Sequence, residues 1–201
     1  MTRVQTMLPA TIDEAGALTL ARRWIAALRN CGDSPFVPDA GSTFTRQILR
    51  GFMMDSTGRQ LVIADARDGW IEAIEVVNDF ITECTDRQIS LPGFVQVYAA
   101  DQLQGLIQPV RDPGRSKVRD LSRDIAIVAT MAVVSARYPS VKPTTRSARK
   151  RSLSGIVGDA MGLENVGRMN ENAVRKVWEK YGHAVAGSPG LMAWLRDISN
   201  T

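Results

Sequence analysis

Histidine is almost absent from this 201-residue chain, in which His183 stands alone beside Gly182. Cysteine is nearly as scarce: Cys31 and Cys84 lie far apart with no thiol or histidine close to either. That excludes the usual zinc spacings and a disulfide framework, so both are expected to be buried thiols. With no Ser or Cys nucleophile positioned beside it, His183 reads as a helix C-terminal side chain rather than a catalytic base. The chain has no GxxxxGK[ST], no GxGxxG after a strand and no HExxH. It also lacks an uncharged apolar window of about eighteen residues, which excludes a membrane span as an expectation. The opening MTRVQTMLPATIDEAG carries no apolar signal region followed by a cleavage site. A cytoplasmic binding protein is therefore expected, with no catalytic residues, no metal and no cofactor.

What is present is enough for a globular fold, since 44% of the residues are hydrophobic. The net charge of +4 conceals a division. Residues 1–110 carry nine Arg against thirteen Asp and Glu, a balance of −4, whereas residues 111–201 carry sixteen Lys and Arg against eight Asp and Glu, a balance of +8. Such asymmetry points to a half that binds a polyanion and a half with another task. The segment RDPGRSK at 111–117 combines Pro, Gly and a rise in positive charge, which makes it the boundary. The expected fold class is mainly α, an acidic helical region over 1–110 followed by a basic helical domain over 111–201.

In the first half, Thr11 and Glu14 form a capping-box signature ahead of a helix with Leu18, Ala21, Trp24, Ile25 and Leu28 on one face, ending near Gly32. DSPFVPDAGST reads as a loop, and Phe44, Ile48, Leu49 and Phe52 as a short helix stopped by Asp55, Ser56, Thr57 and Gly58. From Arg59 to Arg87 two patterns overlap. Ile63, Ala66, Trp70, Ile74, Val77, Ile81 and Cys84 form an apolar seam at steps of three and four. Asp65, Asp68, Glu72, Glu75, Asp79, Glu83 and Asp86 form an acidic stripe on another face, with Gly69 as a possible break between two helices. The plainest reading of the stripe is a solvated face. Sharper ones are a docking strip for the basic half or for a protein partner, with Trp70, Ile74, Val77 and Ile81 as the seam of a homodimer. FVQVYA at 94–99 reads as a short strand, and Leu103, Leu106 and Ile107 as a short helix before Pro109.

In the second half, IAIVATMAVV at 125–134 is too short to span a membrane and fits a buried helix, its β-branched content leaving a strand open. YPSVKPTTRSARKR follows, with five basic residues among its last ten, and reads as an arm that contacts phosphates. Next, Leu153, Ile156, Val157, Ala160 and Met161 make one helical face ending at Gly162. Asn170 caps a second helix with Val174, Val177, Trp178 and Tyr181 inward. Ser188 and Pro189 open a last helix that carries Leu191, Met192, Trp194, Leu195 and Ile198.

The run Ala160-Met161-Gly162-Leu163, followed by Asn-Ala-Val-Arg-Lys, resembles the helix-turn-helix of bacterial and phage regulators. The likeness covers roughly thirty residues, and Glu164 to Met169 exceed the turn of three or four that the class uses. The resemblance implies double-stranded DNA as partner, a recognition helix with Asn172, Arg175, Lys176 and Lys180 toward the groove, and a symmetric dimer for specificity. Arg146, Arg149, Lys150, Arg151 and Arg168 would supply phosphate contacts. The expected function is a transcriptional regulator or a phage or mobile-element DNA-binding factor. Its rival is a phage or mobile-element protein-interaction module that uses the acidic stripe, with the C-terminal helices structural. A metal-dependent hydrolase built on Glu72 or Glu75 lacks the histidines and the apolar pocket that tune such groups.

Overall fold

Gly69 divides the long stretch between Arg59 and Arg87. Its φ of 86° is one that residues with a Cβ avoid, and the Trp70 N–H closes on the Asp65 carbonyl at 3.1 Å. One helix ends there and another begins. The computed structural model describes residues 12–31, 34–36, 41–109, 115–145 and 150–199. The described residues form nine helices and no strand: α1 (Ile12–Asn30), α2 (Gly41–Met53), α3 (Ser56–Arg67), α4 (Ile71–Asp86), α5 (Gly93–Leu103), α6 (Arg115–Arg137), α7 (Leu153–Leu163), α8 (Glu171–Ala186) and α9 (Pro189–Ser199). None of them is long and apolar enough to cross a membrane.

α6 is the scaffold. Every residue from Ile125 to Met131 is buried. A side chain as large as Ile125 or Met131 gains about 1.5–3 kcal/mol from leaving water. The β-branched residues sit in a helix, where Thr130 Oγ1 donates to the Ala126 carbonyl at 2.7 Å and spares a buried hydroxyl its desolvation cost. α1, α2, α7 and α8 all pack on α6, and a single hydrophobic cluster runs from Ala17 to Leu195. Thr45 of α2 and Ser122 of α6 share a buried hydrogen bond of 2.5 Å across the two halves. The division in charge is thus not a division in packing.

Three expectations change in the structure. FVQVYA is helical: Val95 and Gln96 donate to the Pro92 carbonyl at 2.9 and 3.0 Å, and Val95 and Tyr98, three residues apart, are both fully buried. An isolated strand would have had no ladder partner among the described residues. The helix expected around Leu103 to Ile107 is the tail of α5, which ends ahead of Gly105 (φ 71°). α2 does stop at Met53, ahead of Asp55, but Asp55 also starts the next helix, since its carboxylate accepts from the Thr57 and Gly58 N–H groups at 2.9 Å each.

The proposed dimer seam is spent inside the chain. Trp70, Ile74 and Val77 are buried and Ile81 is half-buried, all packed in the shared core. The acidic stripe meets cations of its own half: Glu75 pairs with Arg46, Asp79 with Arg50 at 2.9 Å and Glu83 with Arg87 at 2.9 Å. Among the described residues, no group of three His, Cys, Asp or Glu is arranged to hold a metal.

Candidate nucleic-acid interface

The helix pair of the C-terminal half is assembled around glycines. α7 begins at Ser152, whose extended backbone and side chain cap the Gly155 N–H at 3.0 Å. Its last turn closes at Asn165, not at Gly162. Asn165 takes the left-handed conformation (φ 56°), its N–H meets the Gly162 carbonyl, and the Val166 N–H reaches back to the Met161 carbonyl. This is a Schellman ending, with asparagine in the place more often held by glycine.

From there the chain does not turn directly into α8; it runs back along α7. A Cβ placed on Gly162 would touch the Arg168 side chain at 3.4 Å, and one on Gly158 would lie 2.4 Å from the Met169 carbonyl oxygen. One on Gly155 would approach the Glu171 carboxylate at 3.6 Å. Gly155, Gly158 and Gly162 thus form a track, and only at Gly158 is the absence of a side chain obligatory. The return brings the start of α8 beside the start of α7. There Asn170 accepts from the Ala173 N–H at 2.8 Å, and Ser152 donates to Glu171 Oε1 at 2.5 Å.

α1 fixes α7 at both ends. Glu14, 6% exposed, accepts the Arg151 backbone N–H at 3.1 Å at one end. At the other, Arg22 donates to the Glu164 carboxylate at 2.8 Å and Arg29 to the Glu164 carbonyl at 2.7 Å. Two cations at a helix C-terminus oppose the partial negative charge of its free carbonyls.

Two helix N-termini therefore share one open groove of about 820 Å³, lined by Lys150, Arg151, Ser152, Arg168 and Asn170 together with Asp159 and Glu171. The first N–H groups of α7 are already taken, Leu153 and Ser154 by the Lys142 and Pro143 carbonyls at 2.8 and 3.2 Å and Gly155 by Ser152. An anion is favoured here by the positive ends of two helices and the flanking cations. Lys150 and Arg168 are exposed and make no ion pair among the described residues. Arg151 is half-buried and engaged by Asp159. From this groove, Asn172, Lys176 and Lys180 continue at four-residue spacing along the exposed side of α8, while Val174, Val177 and Tyr181 are buried.

The expected site residues do not all stand alike. Arg146 and Arg149 lie outside the described residues. Lys150, Arg168, Asn172 and Lys176 are solvent-facing. Lys180 is exposed too, but its ammonium sits 4.6 Å from the centre of the Tyr181 ring. Hydrogen bonding to Tyr181 and the nearby Asp65 and Asp124 raise the Lys180 pKa, so the side chain remains a cation well into alkaline solution. Arg175 is half-buried, with Nε 3.6 Å from Glu179 Oε1 and no hydrogen-bond partner for that nitrogen. Sequence reasoning missed the glycine track and the grip of α1 on α7. The glycine spacing was visible, whereas the grip depends on two helices far apart in sequence.

Comparison with protein-family models, with curated proteins and with solved structures finds no match to this chain.

Proposed function

We propose that the protein binds double-stranded DNA, as a transcriptional regulator or as a DNA-binding factor of a phage or mobile element. The observation that carries this reading is the cationic strip, unpaired among the described residues, that starts in the groove at the two helix N-termini with Lys150 and Arg168 and continues along α8 with Lys176. A polyanion suits such a surface for two separate reasons. The positive ends of two helices favour a phosphate, and each lysine or arginine set on a phosphate releases counterions. Asn172, in the first turn of α8, is a side chain able to make a bidentate contact to adenine. Arg175, held toward Glu179, is the weaker candidate for reading bases.

The rival reading, a protein-docking stripe on α4, draws less support, because Glu75, Asp79 and Glu83 already have arginine partners. The test is a titration of the whole chain onto mixed-sequence duplex DNA at two salt concentrations. The expected outcome is binding that weakens with salt, with a log–log slope of about 0.9 per phosphate engaged. Absence of binding at low salt, by a chain shown to be helical, would overturn the proposal.

A further inference from the structure

Residues 88–109 contain one charged side chain, Asp101, and Arg67 of α3 pairs with it at 2.8 Å. α5 occupies the middle of this segment. It packs on α3 with Val95 and Tyr98 buried, and its opposite side is open. Gly93, Gln96, Val97, Ala100, Leu103 and Gln104 are all exposed there, and a Cβ on Gly93 would meet nothing within 4 Å. Val97 is 53% exposed and Leu103 90%, while Ile89 before the helix and Leu106 after it are 55% and 68% exposed. Four large apolar side chains thus stand in water within one eighteen-residue stretch, Val97 and Leu103 on the open side of α5 and Ile89 and Leu106 at its two ends, a concentration that marks interaction sites.

We propose that this face of α5 pairs with the same face of a second copy of the chain. Two arguments select a copy of itself as the occupant. The first is charge. A two-fold axis brings a patch onto itself, so a charged patch repels its image while a neutral one does not. The exposed side of α4 carries Glu75, Asp79, Glu83 and Asp86, all of one sign, whereas the α5 face carries no charge. The second is area. At roughly 100 Å² of apolar surface for each of the four side chains, the patch offers about 400 Å². A standard interface buries about 800 Å² per partner, of which about 65% is apolar in homodimers, or about 500 Å². The patch is therefore close to sufficient for a stable pair. Gly93 and Ala100, seven residues apart and so on the same side of the helix, let two backbones approach along its centre.

The inference stands apart from the DNA reading and is tested without DNA. Sedimentation of the whole chain at micromolar concentration is expected to give twice the chain mass. Val97→Lys combined with Leu103→Lys is expected to give the chain mass with unchanged helix content, since both side chains are solvent-facing. In a Cys31→Ser background, Ala100→Cys is expected to form a covalent dimer on mild oxidation, and Thr19→Cys on the exposed side of α1 is not. A wild-type chain that sediments as a monomer, or a double-lysine variant that remains dimeric, would overturn the proposal. If the double variant loses helix content, the cysteine experiment decides, and equal crosslinking at positions 100 and 19 counts against the pairing.

Discussion

α4 and α8 follow one rule, ionisable residues four apart on a solvent-facing side, and finish in opposite electrostatic states. Glu75 and Asp79 on α4 face Arg46 and Arg50, which are themselves four apart on α2. Lys176 on α8, and Lys150 and Arg168 at its N-terminal groove, have no such counterpart among the described residues. The lesson is that a charged stripe has no function until the helix opposite is known. A matched stripe is surface electrostatics, worth little to stability or recognition. An unmatched one holds a potential that only an external anion relieves.

The comparison breaks most severely if the scaffold of the cationic side is removed. Gly158→Val would drive a side chain into the Met169 carbonyl, a backbone atom that cannot yield as a flexible side chain does. The return segment would have to leave α7, separating the starts of α7 and α8. A loss of about 3 kcal/mol of stability is expected from overpacking at a rigid contact, read as a lower urea midpoint. DNA binding should fail with it even at temperatures where the variant remains helical, while the Arg50–Asp79 pair between α2 and α4 is unaffected.

The glycine track also marks where sequence reading stops. Periodicity was sufficient for α7 to α9, which each bury one face. The expected caps Ser152 and Asn170 hold α7 and α8, whereas the Ser188 hydroxyl ahead of α9 caps no N–H among the described residues. For 125–134 periodicity left a strand open beside the helix of α6. It misread α5, because Phe94, Val95, Val97 and Tyr98 satisfy the alternation of a strand as well as the three-residue step of a helix. Only the burial of Val95 and Tyr98 together, three residues apart, decides between them. The seam at Trp70, Ile74 and Val77 was correctly seen as apolar, yet its partner lies within the chain, which no local pattern reveals. The acidic stripe was seen too, while its pairing with Arg46 and Arg50 depends on α2 lying beside α4. The split in charge was real and the split in packing was not, since Glu14, Arg22 and Arg29 of the acidic half hold both ends of α7.

A milder change sharpens the contrast without touching the fold. Arg168→Ala with Lys176→Ala removes two exposed cations that pair with no carboxylate among the described residues, so melting temperature should change little. Binding to duplex DNA should weaken on the order of 10²-fold near 0.1 M salt, and the log–log salt slope should fall by about 1.8, or about 0.9 for each phosphate released. Specific and random duplexes should lose affinity alike, because both side chains are assigned to phosphates. Unaltered affinity in a folded double variant would remove the strip from the interface.

The smallest effect is expected at the matched stripe, where it is the size that carries information. Arg50 and Asp79 keep 54% and 61% of their side-chain surface in water, so their attraction is screened and is opposed by the entropy of holding two long side chains. A double-mutant cycle with Arg50→Ala and Asp79→Ala should give a coupling of about 0.5 kcal/mol, declining with added salt. DNA affinity should change little in either single variant, since the pair lies on helices remote in sequence from the groove and contributes one charge of each sign. A different pattern would redraw the comparison. If Asp79→Ala raised DNA affinity by tenfold or more while Arg50→Ala lowered it by as much, the α2 arginines would be phosphate ligands held in reserve by α4. The acidic stripe would then act as a competitor for the same polyanion site, and the two surfaces would belong to one device rather than two.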